Sequence, residues 1–322
     1  MKSPSEPISW RPVNSQCGGI SAVASTYVDY YLQKLIPFIP GVVKNSIETI
    51  HLLHQIPSSK LANPNVWITT SDAENMYGNI GIEEGVSIIE KYFELFAHEY
   101  KGHFPAELII KLLHLIMSRN VFQFGNTWWK QEVGTAMGTP CACAYATIFF
   151  SYFERTTIVP RFKENLLLYV RFIDDIFLVW EDDPLQPDRF QQFKHCLNTQ
   201  CKLKWKTEDL NTRSDFLDIT VMLDRSSGKC MNRTFQKAYN LFLYITAHSS
   251  HPPGLMKSII YGLLETYWRQ NSDSEDYIKY AKLLFSRLLK RSHKEETIGP
   301  IFTEAATKIE SKLYLPSKNF QK

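Results

Sequence analysis

The chain has little net charge, no long hydrophobic run and no zinc-type cysteine pairing, and each absence narrows its possible class. Against 36 Lys and Arg stand 33 Asp and Glu, leaving +3 over 322 residues. Overall charge of that size does not by itself mark a nucleic-acid binder. No apolar stretch approaches the ~20 residues needed to cross a bilayer. Residues 1–10 are polar and contain proline, unlike a signal peptide. The six cysteines (Cys17, Cys141, Cys143, Cys196, Cys201 and Cys230) contain no C-x2-C pair. His195, Cys196 and Cys201 lie close together, but no fourth zinc ligand accompanies them. Reduced cysteines in a nuclear or cytoplasmic protein fit this usage. Asn232-Arg233-Thr234 spells a glycosylation sequon, which reads as chance without a secretory leader. No internal repeat or low-complexity block is present.

The remainder is globular in character. Hydrophobic residues make up 44% of the chain, enough for a buried core in one large domain or two smaller ones. Apolar periodicity of the helical kind predicts helices near 22–38, 44–56, 83–97, 105–118, 140–154, 187–198, 255–270 and 274–290. Shorter β-branched or apolar runs predict strands near 65–71, 121–124, 127–131, 166–172, 176–180, 203–206 and 216–223, with one or two more over 234–245. Gly125-Asn126 between two such runs is a hairpin signal. The last 25 or so residues are poorly periodic. Antiparallel strands with helices on one face, an α+β arrangement, follow from this order.

One segment stands out chemically. In Leu168-Tyr-Val-Arg-Phe-Ile-Asp174-Asp175-Ile-Phe-Leu-Val-Trp180, two carboxylates interrupt a run that otherwise belongs in a core. A bare buried carboxylate is costly, so the pair must be paired, exposed or metal-bound. A hairpin tip would let both reach solvent, although Asp is also a common turn residue with no further role. Taken alone, the segment supports a decorated turn as well as a functional site. Asp72 shifts that balance, because it too follows an apolar strand (Val66-Trp-Ile-Thr-Thr-Ser) and would stand at its end. Three carboxylates on two strand ends make an oxygen-rich cluster suited to Mg²⁺, a hard ion. Two such ions about 3.5–4 Å apart would activate a 3′-hydroxyl and stabilise a leaving pyrophosphate.

Between these segments lies Gly134-Thr-Ala-Met-Gly138-Thr-Pro140-Cys-Ala, where two glycines precede a helix. Glycine permits close backbone approach to a ligand, and a helix N-terminus favours phosphate. The same pattern also serves an ordinary helix-leading loop. Further on, six basic residues (Lys279, Lys282, Arg287, Lys290, Arg291 and Lys294) and one acid occupy 276–294. This patch suits a phosphate backbone, or simply a solvated helix face.

In that order, SDAENMYGNI, GTAMGTPCACAYATIFFSYFE and RFIDDIFLVW resemble motifs A, B and C of reverse transcriptases. The narrower resemblance is to Penelope-like retroelements, a lineage related to telomerase catalytic subunits, and it continues through SDFLDITVMLD and HSSHPPGLMKSI. It spans roughly 10–295. It implies a right-hand polymerase palm with partial fingers over 1–64, the palm over 65–245, and a helical thumb and tail over 246–322. By the same resemblance, Asp72, Asp174 and Asp175 would bind two Mg²⁺ ions, with Mn²⁺ as a substitute. Tyr77 would be the steric gate against a ribose 2′-hydroxyl, acting by clash. Met137 and Gly138 would lie along the incoming nucleotide and template, Arg11 would hold the triphosphate, and Lys237 would stand near the leaving group. The His248 and His251 pair would be a structural element of the thumb junction. The implied partners are an RNA template, a DNA primer and dNTPs, with no membrane.

Three departures accompany the match. Met137 stands where many reverse transcriptases carry Gln, as in the Penelope-like group. The chain starts at about the fingers Arg11-Pro12, and no GIY-YIG endonuclease follows the thumb. A truncated element is the expectation, either a working polymerase fragment or an inactive nucleic-acid-binding relic.

Overall fold

The computed structural model describes residues 13, 19, 21–135, 137–252 and 254–313. Its helices are α1 Ala22–Leu35, α2 Ser46–Leu53, α3 Ser58–Leu61, α4 Met76–Asn79, α5 Ile82–Phe96, α6 Ala106–Ser118, α7 Ala142–Phe153, α8 Val159–Phe162, α9 Arg189–Thr199, α10 Leu255–Gln270, α11 Ser274–Leu289 and α12 Glu295–Leu313. The strands are β1 Val66–Glu74, β2 Val121–Phe124, β3 Thr127–Lys130, β4 Leu166–Phe172, β5 Asp175–Glu181, β6 Lys204–Thr207, β7 Arg213–Phe216, β8 Ile219–Asp224 and β9 Lys229–Thr234. They form a four-stranded sheet in the order β4-β5-β1-β6, a solitary β2-β3 hairpin, and a three-stranded sheet β7-β8-β9. Every strand pair is antiparallel.

The four-stranded sheet divides the core. Side chains alternate across it, and the alternation sorts the apolar residues into two clusters. Ala73 of β1, Ile176, Leu178 and Trp180 of β5 and Trp205 of β6 face α1, α5, α6, α7 and α9. Val66, Ile68, Phe177 and Val179 face α2 and the three-stranded sheet. Strand β5 is central and buried on both faces, so Ile176–Trp180 reads as an unbroken apolar run rather than an alternating one. Helix α5 needs only one stripe, Val86, Ile89 and Phe93, to dock on this layer. Full burial of each such side chain is worth about 1.5–3 kcal/mol.

Helices α10, α11 and α12 enclose a third cluster that includes Ile260, Leu264, Leu284, Leu288 and Ile298. Buried Gln270, the last residue of α10, ties this bundle to the sheets. Its Nε2 donates to Asp218 Oδ2 at 2.6 Å, and its Oε1 accepts from Thr234 Oγ1 at 3.0 Å. Asn232, the sequon asparagine, is buried here and donates to the Gln270 carbonyl at 2.6 Å. Among the described residues, no helix is long and apolar enough to cross a membrane.

Four expectations change. Strand β1 continues past Asp72 to Glu74, so Asp72 lies inside the strand rather than at its end. The run 216–223 splits at Leu217, whose φ of +54° turns the chain between β7 and β8. No strand follows Thr234 over 235–245, where alternating Leu241 and Leu243 meet no neighbouring strand and remain exposed. That segment is held by side chains instead: Arg291 Nε donates to the Tyr244 carbonyl at 2.7 Å, and Arg287 Nη1 to Gln236 Oε1 at 2.9 Å. The poorly periodic tail contains α12, which contributes Ile298, Ala305 and Ile309 to the third cluster despite Pro300 in its interior.

Candidate functional site

Strand register brings Asp72 and Asp175 together. They are directly paired across β1 and β5, and the same pairing runs back through Ser71–Ile176, Thr70–Phe177 and beyond. Opposed residues in an antiparallel pair share a face, so both aspartates project to the side of Ile68 and Phe177. Asp174 reaches the site by another route. Strands β4 and β5 are joined by the two-residue turn Ile173-Asp174, with Phe172 paired to Asp175. Alternation along one strand would send neighbouring aspartates to opposite faces, and the turn frees Asp174 from that limit. The turn is bound to β1, since the Ala73 amide donates to the Asp174 carbonyl at 2.9 Å.

The charges of these residues act on one another. Burial pushes the Asp175 carboxyl up to about 6, and the neighbouring Asp174 and Asp72 charges push in the same direction. Lys237 pulls the other way, which places it within electrostatic reach of the cluster. A cleft of about 590 Å³ opens here, lined by Asp72, Asp175, Lys206, Glu208, Asp215 and Leu217 among others. Lys206 pairs directly with Asp72 across β1 and β6. It was not singled out from the sequence, although Lys204-Trp-Lys206-Thr alternates polar with apolar and so puts both lysines on one face.

The donor chemistry suits a hard divalent cation, because several carboxylates converge with mutual repulsion that such a cation would relieve. The arrangement is open: among the described residues, no three His, Cys, Asp or Glu side chains are gathered as a ready metal cage. That finding also covers His195, Cys196 and Cys201, of which Cys196 is a buried residue of α9.

Tyr77 lies on α4, directly after β1, where Asn75 adopts φ +49° to turn the chain. Its hydroxyl donates to Cys143 Sγ at 3.3 Å. Burial chiefly, then the Cys143 contact and the Asp174 charge, raise its ionisation well above the ordinary tyrosine range. Gly134 and Thr135 dock against the same turn. Thr135 N–H donates to the Tyr77 carbonyl at 2.6 Å. Gly134 has φ +88°, and a Cβ there would sit 2.8 Å from Gly78 Cα and from the Tyr77 carbonyl oxygen. Met137 is half-buried and bridges to Val13, while Gly138 is exposed with φ +99°. Arg11 lies outside the described residues. His251 accepts or shares a hydrogen bond with Ser249.

The basic patch divides in two. Arg287 stacks 3.8 Å from the Phe242 ring centre, and Arg291 holds the Tyr244 carbonyl, so both serve the fold. Lys279, Lys282, Lys290 and Lys294 are exposed.

No protein-family model matches this chain, and no curated protein does. Solved structures do. The chain is similar to telomerase from Candida albicans in complex with a TWJ fragment of telomeric RNA, at TM-score 0.56 and 12% identity, over 89% of this chain and 49% of that one. It is similar to apo telomerase from Candida tropicalis at TM-score 0.51 and 11% identity, over 88% and 51%. It is also similar to the BmCPV RNA-dependent RNA polymerase at elongation state, at TM-score 0.53 and 11% identity, over 76% and 22%. The chain therefore spans about half the length of these telomerases and about a fifth of the viral enzyme. At such identities the likeness concerns the fold: mixed helices and antiparallel sheet of the nucleic-acid polymerase palm type.

Proposed function

We propose that this chain is the palm and adjoining thumb of an RNA-directed DNA polymerase of the Penelope-like retroelement kind, adding dNTPs to a DNA primer on an RNA template. The observation that carries the reading is the direct pairing of Asp72 with Asp175, beside the Asp174 turn, on a polymerase palm-type fold. Asp72, Asp174 and Asp175 would hold two Mg²⁺ (or Mn²⁺) ions, which supply Lewis-acid stabilisation of charge on the reacting phosphate oxygens.

The chain's own residues do the positioning. Tyr77, held between Cys143 and the Thr135 amide, would form the wall against which a 2′-hydroxyl clashes. Lys237 would place a cation near the leaving group, and Gly138, with Met137, would border the nucleotide and template. Arg11 would grip the triphosphate. The exposed lysines of α11 and its C-terminal end would follow the duplex. Residues 1–64, 65–245 and 246–322 would then serve as partial fingers, palm, and thumb with tail. In a complete element an endonuclease domain would accompany them, acting in the nucleus or cytoplasm.

A second reading, nucleic-acid binding without catalysis, draws on the exposed Lys279 and Lys282 of α11, which suit a phosphate backbone whether or not the carboxylates act. One assay separates the two: dTTP incorporation on poly(rA)/oligo(dT) by the purified chain with Mg²⁺ or Mn²⁺. Incorporation is expected. A folded chain that binds the duplex yet adds no nucleotide would favour the second reading.

A further inference from the structure

Arg171 of β4 is wholly buried on the helix-bearing side of the sheet. All three guanidinium nitrogens are engaged. Nε and Nη2 donate to the two carboxylate oxygens of Glu154, each at 2.7 Å. Nη2 also meets the Thr147 carbonyl at 2.9 Å and Ser151 Oγ at 2.8 Å, both on α7. Nη1 is turned toward the tip of its own hairpin and donates to the Ile173 carbonyl at 2.8 Å. Glu154 opens a π-helical turn, Glu154–Ile158, at the end of α7 and also accepts the Tyr169 hydroxyl. Single π turns inside α-helices recur at functional sites.

Stability alone does not explain this pair. Removing two charges from water costs about what their attraction returns, and an apolar pair of similar volume is often as stable or more so. Apolar side chains could anchor β4 to α7. They could not hold a turn carbonyl. The turn needs holding, because Ile173 has φ +53°, a left-handed conformation that a β-branched residue adopts only under constraint. Arg171 fixes the Ile173 carbonyl, and the Ala73 amide fixes the Asp174 carbonyl. The peptide groups on both sides of the Asp174 Cα are thereby pinned.

We propose that Arg171, clamped by Glu154, is a positioning residue that holds the strained Ile173-Asp174 turn and so sets Asp174 against Asp72 and Asp175. Its bearing on nucleotide addition rests on the polymerase reading above; its bearing on the turn does not.

The test uses the double variant Arg171→Met/Glu154→Leu, which removes the pair without leaving a buried charge alone. Amide hydrogen exchange reads Ala73 against Ile68, two amides of the same strand that bond to different partners. The expected result is a folded protein in which Ala73 exchange accelerates by about tenfold or more while Ile68 is unchanged. The rate constant for nucleotide addition falls by about 100-fold, with KM for the primer–template little altered. Where the double variant does not fold, Arg171→Lys is read by the same criterion, since its single amine cannot serve Glu154 and Ile173 together. Unchanged Ala73 protection in either folded variant overturns the proposal. A wild-type chain that never extends a primer defeats the polymerase reading instead, and the exchange result still decides the role of Arg171.

Discussion

The Ala73 amide donates to the carbonyl of Asp174 at 2.9 Å, joining the residue after Asp72 to the turn before Asp175. Through that single bond, and the Asp72–Asp175 pairing next to it, aspartates from two distant sequence segments are brought to one region of the sheet.

Concentrating carboxylates there has a cost that pH should reveal. The Asp175 carboxyl titrates near 6 instead of the ordinary 3.8, because it is half-buried and faces two like charges. The folded protein therefore binds a proton more readily than the unfolded chain between those values, and stability falls as pH rises from about 4 to about 6. Asp175→Asn should raise the metal-free Tm at pH 7.5 by about 2 °C, with about 1 kcal/mol regained after allowance for solvent screening. The gain should vanish at pH 4, and added Mg²⁺ should stabilise wild type more than the variant. Calorimetry at the two pH values checks this. A variant less stable than wild type at pH 7.5 contradicts it.

Gly134 is the joint between the glycine-rich loop and the Tyr77 turn. Gly134→Ala places a methyl 2.8 Å from three backbone atoms of Tyr77 and Gly78, at a positive φ. Backbone cannot yield as a flexible side chain would, so the variant should lose about 2–3 kcal/mol of stability. Denaturant unfolding measures the loss. If the loop simply shifts, stability returns but the Thr135 amide loses its protection.

Tyr77 offers a separation of roles. Tyr77→Phe removes only the hydroxyl's bond to Cys143 and should keep the preference for dNTPs. Tyr77→Ala removes the ring and should relax discrimination against rNTPs by about tenfold or more. Competing dTTP and UTP in single-turnover extension gives both ratios. Equal discrimination in the two variants would dismiss the gate.

The α11 patch should behave as two populations. Lys279→Ala/Lys282→Ala should leave Tm unchanged and reduce the slope of log affinity against log salt by about 2. Arg287→Ala should instead lower Tm, since that side chain stacks on Phe242 and holds Gln236. Duplex binding over a salt series, with thermal melts alongside, distinguishes them.

Legibility in the sequence followed the kind of interaction involved. The β1 and β4–β5 strands, the hairpins and most helices were readable because their apolar periods are local. Asp72, Asp174 and Asp175 were readable because carboxylates beside apolar strands are conspicuous. Arg171 and Glu154 were not: seventeen residues apart, they resemble any surface pair until packing buries both. Lys206 was readable in principle from alternation, but which strand it would join depends on the β1–β6 register. The segment 235–245 looked like a strand because its residues favour one, and only tertiary contacts with Arg287, Arg291 and His293 determine otherwise. Helix α12 was missed because three buried positions suffice against a neighbouring helix pair, too few to make a clear period.

Nucleotide addition by the aspartate cluster is the proposal on which the other functional predictions rest. Its most direct test is primer extension on poly(rA)/oligo(dT) with Mg²⁺, comparing wild type with Asp174→Asn after both are shown to be folded. Wild type should incorporate dTTP, and the variant should lose about 1,000-fold or more of that activity. Equal incorporation by the two folded proteins would contradict it.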